Sequence, residues 1–131
     1  MDIVVDTSAI IAVLINEKHK SRLIGMTEGA DLLAPLSLHW EVGNAFSAMF
    51  KRKKMNLTQA ESALAAYQQI PIRFLSVGLL EALELSHKFN LYAYDAYFLC
   101  CAAKKNCPLI TLDMKLREAA VKAGIDTMEV K

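Results

Sequence analysis

Short apolar runs alternate along the chain with longer segments whose apolar positions recur at helical spacing. Ile3-Val4-Val5 is β-branched and ends on Asp6, which predicts a strand buried on both faces, as in a parallel sheet. Asp6-Thr7-Ser8 then starts a helix whose apolar body runs from Ala9 to Ile15. A second short helix is expected from His19 to Thr27, and a short strand at Leu32-Leu33-Ala34-Pro35. Ser37 is the expected N-cap of a helix that contains Glu41 and runs to about Lys53. Thr58, with Glu61 three residues on, forms a capping-box pattern for a helix reaching about Gln69. Beyond it come a strand from Ile72 to Val77 and helices from Leu79 to Phe89 and Tyr94 to Lys105. A strand over Leu109-Ile110-Thr111-Leu112 ends at Asp113, and a helix from Lys115 to Ala123 is closed by Gly124. The last strand is expected from Thr127 to Val130. This alternation predicts an α/β protein, a three-layer α/β/α sandwich around a central, mainly parallel sheet.

Length and composition narrow the class. The 131 residues fit one domain over 1–131, and an apolar share of 54% excludes disorder. No apolar run approaches the roughly 18 residues of a membrane span. An acid follows Met1 where a secretory leader carries a cation, so the expected location is cytoplasmic. The three cysteines, Cys100, Cys101 and Cys107, are an odd count without zinc-site spacing. They are expected to be small hydrophobes in a reducing compartment.

A net charge of +1 excludes a strongly basic nucleic-acid-binding domain but hides local structure. Lys51-Arg52-Lys53-Lys54 is a compact basic run, with a smaller one at Lys104-Lys105. The first is either a solvated helix end or a patch that contacts RNA phosphates, and the second reading depends on a metal site nearby.

Four acids carry the candidate chemistry. Asp6 and Asp113 follow predicted strands, and Glu41 and Asp95 fall early in predicted helices. Each alone has an ordinary explanation, as a helix cap, a turn residue or a partner for the helix dipole. Asp95, in the otherwise apolar stretch from Leu91 to Ala103, needs a partner if buried. In an open parallel sheet all four positions can face one crevice at the carboxyl ends of the strands. Clustered carboxylates repel one another, and no lysine or arginine lies within several residues of Asp6 or Asp95. A hard divalent cation, Mg2+ or Mn2+, would neutralise them and activate water against a phosphodiester. No G-x-S-x-G, H-E-x-x-H or Walker A pattern offers another nucleophile or phosphate site. His39, two residues before Glu41, is expected at the surface or behind the acids and not as a metal ligand.

Val4-Val5-Asp6-Thr7-Ser8-Ala9 resembles the opening motif of the PIN-domain nucleases. Ser37-Leu38-His39-Trp40-Glu41-Val42-Gly43-Asn44-Ala45 resembles the second motif, Tyr94-Asp95-Ala96-Tyr97 the third, and Thr111-Leu112-Asp113 the fourth. Order and spread match across essentially the whole chain, and the short length resembles the VapC-like toxins of type II toxin–antitoxin pairs. The resemblance implies a PIN-like fold and an endoribonuclease dependent on Mg2+ or Mn2+. It implies Asp6, Glu41, Asp95 and Asp113 as the metal-binding, catalytic quartet, with Thr7, Ser8, Asn44 and Thr111 in support. It also implies a homodimer, and a cognate antitoxin whose C-terminal segment plugs the active site. Two rivals stand beside it. A PIN-like module that binds RNA or protein without catalysis would not need all four acids. A phosphotransfer domain would want a second Asp where Ser8 stands, or a phosphorylated Asp deep in the chain with a later lysine; Asp113 is followed instead by Met114-Lys115.

Overall fold

The computed structural model describes all 131 residues. Four strands form one sheet: β1 (Asp2–Val5), β2 (Asp31–Pro35), β3 (Ile72–Leu75) and β4 (Leu109–Ile110). Seven helices surround it: α1 (Thr7–Leu14), α2 (Lys20–Thr27), α3 (Leu38–Lys51), α4 (Leu57–Gln69), α5 (Leu79–Phe89), α6 (Ala93–Lys105) and α7 (Met114–Lys122). The strand order is β3-β2-β1-β4 and every pairing is parallel. Ile3, Val4 and Val5 are all buried, because β1 lies inside the sheet with helices on either face.

The chain steps from β1 to β2 to β3 in one direction and returns from β3 to β4 past β1. Right-handed crossovers then place α1 to α4 on one face and α5 and α6 on the other. The packing agrees. α1 rests on α2, α3 and α4, whereas α6 lies on β1, β2 and β4 and carries α5 on its outer side. The gap between β1 and β4 is the point where the strand order reverses, and ligands of such sheets gather there, at the carboxyl edge.

Several element ends differ from the sequence reading, each for a local reason. The expected Thr127–Val130 strand reduces to one bridge between Leu109 and Thr127. Its partner β4 is only two residues long, because Thr111 and Leu112 leave the ladder: the Leu112 N–H donates to Ser8 Oγ at 2.9 Å. Helix α4 is capped by Asn56 and not by Thr58. The Gln59 N–H donates to Asn56 Oδ1 at 2.8 Å and the Asn56 N–H to Gln59 Oε1 at 2.9 Å, a complete capping box one half-turn earlier. Ser37 stands at the N-cap of α3 in helical conformation and makes no capping bond.

Five helices close with a left-handed residue: Asn16 after α1, Lys53 after α3, Asn90 after α5, Asn106 after α6 and Gly124 after α7. In each case the next N–H reaches back five residues, as from Ile125 to Ala120 and from Lys54 to Met49. Asparagine and glycine tolerate this conformation, but Lys53, at φ 57°, does so at a cost. The cysteines are buried and unpaired, and burial pushes the Cys101 thiol up to about 12. No helix is long and apolar enough to cross a membrane.

Candidate active site

A single residue separates β1 from α1, and it is Asp6. Its N–H still donates to the Ile110 carbonyl of β4, while its side chain caps α1 by accepting from the Ala9 N–H at 3.0 Å. Ser8 Oγ donates to the same oxygen, Oδ1, at 2.7 Å, and the Thr111 hydroxyl donates to Oδ2. Thr111 Oγ1 also accepts from the Asp113 N–H at 2.9 Å, and Asp113 caps α7 by accepting from the Lys115 and Leu116 N–H groups. Asp6 and Asp113 are therefore helix caps as well as candidate ligands, so the ordinary reading holds for both.

Glu41 lies in the first turn of α3 and Asp95 in the first turn of α6, both half-buried. All four acids thus sit at the N-terminal turns of four different helices, on the carboxyl side of the sheet. Each such terminus carries partial positive charge. The Ser37 hydroxyl, freed from capping, donates to Glu41 Oε2 at 3.4 Å.

The electrostatics tie the four together. Asp6 is only 4% exposed, and burial pushes its carboxyl up to about 6 despite the donors from Thr111, Ser8 and Ala9; Asp113 adds a smaller push. Burial likewise raises Glu41 to about 7, with Asp95 and then Asp6 contributing repulsion. Asp95 is raised by burial and by Asp113. The repulsions form a closed ring, Asp6 to Asp113 to Asp95 to Glu41 and back to Asp6. The two ion pairs of the protein, Arg73–Asp2 and Arg117–Glu129, lie outside it. Lys115 alone tempers the ring, drawing Asp95 down.

A hard cation fits this donor set. Every candidate donor is an oxygen, and soft thiolates are absent. The Thr7 hydroxyl, which lies close enough to Glu41 to lower its pKa, does not meet hydrogen-bond geometry with it, so its oxygen is buried without a partner. As the side chains stand, no three acids close on one point. An ion held here would take one or two carboxylates directly and complete its shell with water. Beside the ring a cleft of about 560 Å³ opens, lined by Thr7, Trp40, Glu41, Asn44, Ala45 and Tyr94.

The structure places the expected supporting residues unevenly. Ser8 and Thr111 hold Asp6 directly, Thr7 stands beside Glu41, and Asn44 is exposed on the cleft wall. His39 is half-buried, and its contacts lie away from the acids. It shares a 2.9 Å hydrogen bond with the Tyr67 hydroxyl and stacks at 4.3 Å on Phe74. The basic run Lys51, Arg52, Lys53 and Lys54 lies at the far end of α3, roughly 15 Å along the axis from Glu41. There Arg52 and Lys54 line a separate cavity of about 880 Å³ with Asn16, Glu17 and Lys20. Sequence reasoning missed Ser37 and Lys115 as neighbours of the acids. It also missed Trp40 and Tyr94 as cleft walls, although each directly precedes an acid in a helix's first turn.

Comparison with known proteins identifies the scaffold. A PIN-domain family model matches residues 3–122. The chain is 30% identical over 118 residues to a Mycobacterium bovis protein, VapC ribonuclease Mb0985, covering 88% of this chain and 89% of that one. In fold it is similar to the crystal structure of PAE2754 from Pyrobaculum aerophilum, with a TM-score of 0.71, 24% identity, and coverage of 91% of this chain and 87% of that one. It is also similar to a chain in the structure of VapBC2 from Rickettsia felis bound to a DNA fragment from their promoter, at a TM-score of 0.71, 12% identity and 98% coverage of both. The chain belongs to the PIN-domain family, in its VapC group.

Proposed function

We propose that the protein is a metal-dependent endoribonuclease, the toxin of a toxin–antitoxin pair, and that Asp6, Glu41, Asp95 and Asp113 form its catalytic centre. The observation that carries this reading is the gathering of four carboxylates, from the starts of four different helices, at the reversal point of the sheet, with one exposed lysine beside Asp95. The 30% identity to a named VapC ribonuclease supports the substrate class.

The four acids would hold Mg2+ or Mn2+, and Thr7 offers a further oxygen facing Glu41. A bound divalent cation supplies charge neutralisation and acidifies water for attack on phosphorus. The chain's own part is positioning. Ser8 and Thr111 lock both oxygens of Asp6, so that its carboxylate cannot turn to relieve the repulsion. The Ser37 hydroxyl orients Glu41, and the Asp113 cap fixes one of its oxygens while the other makes no hydrogen bond. Lys115, exposed and near enough to Asp95 to draw its pKa down, is the candidate contact for a phosphate.

The partner in this reading is an antitoxin that covers the acids, and the active form is a cytoplasmic homodimer. Leu79, Leu80 and Leu83, exposed along α5, offer an apolar strip for self-association. The deciding experiment is cleavage of RNA with Mg2+ or Mn2+, with excess EDTA, and with Asp6→Asn. Activity in the first condition alone supports the reading. A folded protein that binds RNA and cleaves none with either ion would favour the binding module.

A further inference from the structure

The cleft beside the acids has an unusual wall. Trp40 is 71% exposed and Tyr94 is 52% exposed, and both line the cleft with Glu41 and Asn44. Exposed rings occur elsewhere on this surface, as at Tyr92, but these two share one cleft with Glu41, where their apolar area is available to a ligand. Trp40 stands edge-on to His39 at 6.1 Å, and His39 is itself held by Tyr67 and Phe74. Tyr94 stands edge-on to Tyr97 at 5.9 Å. Each ring thus has one aromatic neighbour and leaves most of its surface open. Each also directly precedes an acid of the ring, Trp40 before Glu41 and Tyr94 before Asp95, so both lie within one residue of the candidate reaction centre.

Charge makes the same point. Four carboxylates repel RNA phosphates, the whole chain carries only +1, and the basic run lies at the other end of α3. Ion pairing at the cleaved bond is then limited to Lys115 and a bound cation, and further affinity has to come from another source. Unpaired bases stacked on aromatic faces supply it, and they tolerate many sequences because every base has a flat face. We propose that Trp40 and Tyr94 are stacking platforms for the bases flanking the cleaved phosphodiester, so that the protein selects RNA whose bases are unpaired at that bond. This inference rests on the nuclease reading of the same site. Paired bases in an A-form duplex keep their faces covered and do not reach either ring.

The test exploits a property of the sequence: Trp40 is the only tryptophan. With EDTA present to suppress cleavage, its fluorescence is followed while the protein is titrated with three probes. These are a 12-nucleotide unstructured RNA, the blunt duplex it forms with its complement, and a base-free ribose-phosphate strand of the same length and charge. Saturable quenching by the first alone is expected. Binding of the labelled single strand, followed by anisotropy, should weaken about tenfold in Trp40→Ala and in Tyr94→Ala, and less in Trp40→Phe, which keeps a face. Both side chains are exposed, so unchanged melting temperatures are expected and are checked. Equal binding of all three probes, or unchanged affinity in both alanine variants, would overturn the proposal. So would quenching by a short protein partner but by no RNA, which would reassign Trp40 to protein docking. Selective quenching without cleavage under any divalent cation would remove the nuclease reading and leave the stacking role. Cleavage at wild-type rates in both alanine variants would do the reverse.

Discussion

The two ends of the same helices make opposite use of charge. At the C-terminal ends, Lys51 closes α3, Lys104 and Lys105 close α6, and Lys122 closes α7, all exposed. Cations there meet the partial negative charge of the last carbonyls, and water screens them from one another. At the N-terminal ends the acids also suit the helix dipole, yet three of the four have raised pKa values. Sign is therefore not the difference. Four helix starts meet at the reversal of the sheet, and three of their four acids are buried or half-buried, whereas the lysines at the helix ends stand in solvent. One end of the molecule is electrostatically complete, and the other carries a repulsion that a bound cation would relieve.

The largest effect that tests this contrast is on catalysis. Asp6→Asn keeps the shape of the side chain and removes its charge. RNA cleavage should fall to background, while the metal-free protein at pH 7 melts at the same or a higher temperature. A large loss of melting temperature would show that Asp6 is chiefly a structural cap.

Metal should act next. At a hundredfold excess over its dissociation constant, Mg2+ or Mn2+ should stabilise the fold by about 2.7 kcal/mol at pH 7.5. The gain should be nearly absent in Asp6→Asn, as scanning calorimetry would reveal. An equal gain in the variant would mean that the ion binds elsewhere.

The proton should partly replace the metal. The folded Asp6 carboxyl, at about 6, lies above its unfolded value of 3.8, so between these values the folded state holds a proton that the unfolded chain has released. Its stabilising contribution is complete below about 3.8 and is lost as pH rises through 6. Lowering the pH from 7.5 to 5 without metal should add about 1.4 kcal/mol from Asp6. Glu41, raised to about 7, acts in the same direction. A melting temperature that falls over this range would break the picture of a repelling ring.

The smallest effects belong to the opposite end. Lys51→Ala, Arg52→Ala and Lys54→Ala together should leave cleavage of a tetranucleotide unchanged. About 15 Å separates this end from Glu41, a span of four to five phosphates at roughly 3.4 Å each. A longer RNA reaches both ends, and the salt dependence of its binding should weaken by about 0.7 for each phosphate that loses its cationic partner. Lys53→Gly relieves the left-handed lysine and should add up to about 1 kcal/mol of stability in urea denaturation.

The fold was legible where physics is local. Ile3-Val4-Val5 shows a buried strand by composition alone, and Gly124, at φ 77°, ends α7 where a glycine is expected. The acids were legible as positions, since each follows a strand or begins a helix. Their mutual repulsion was not, because Asp6 meets Thr111 and Glu41 meets Asp95 only through the sheet order. Lys115 is near in sequence to Asp113 and distant from Asp95, so its effect on Asp95 is a product of folding. Thr58 and Asn56 both begin plausible capping boxes, and only the geometry of the preceding turn chooses between them. His39 departs from expectation because nearness to Glu41 along a helix means opposite faces, not shared surroundings.

The single-residue join between β1 and α1 has a consequence for how such a protein can change. Asp6 has no slack on either side, and its two oxygens are tied to Ser8 and Thr111. Its place cannot drift without disturbing the sheet. Trp40, Asn44 and Tyr94, by contrast, are exposed on helix surfaces and hold no part of the core. Substitutions there can redirect the protein to a different target while the means of cutting stays as it is.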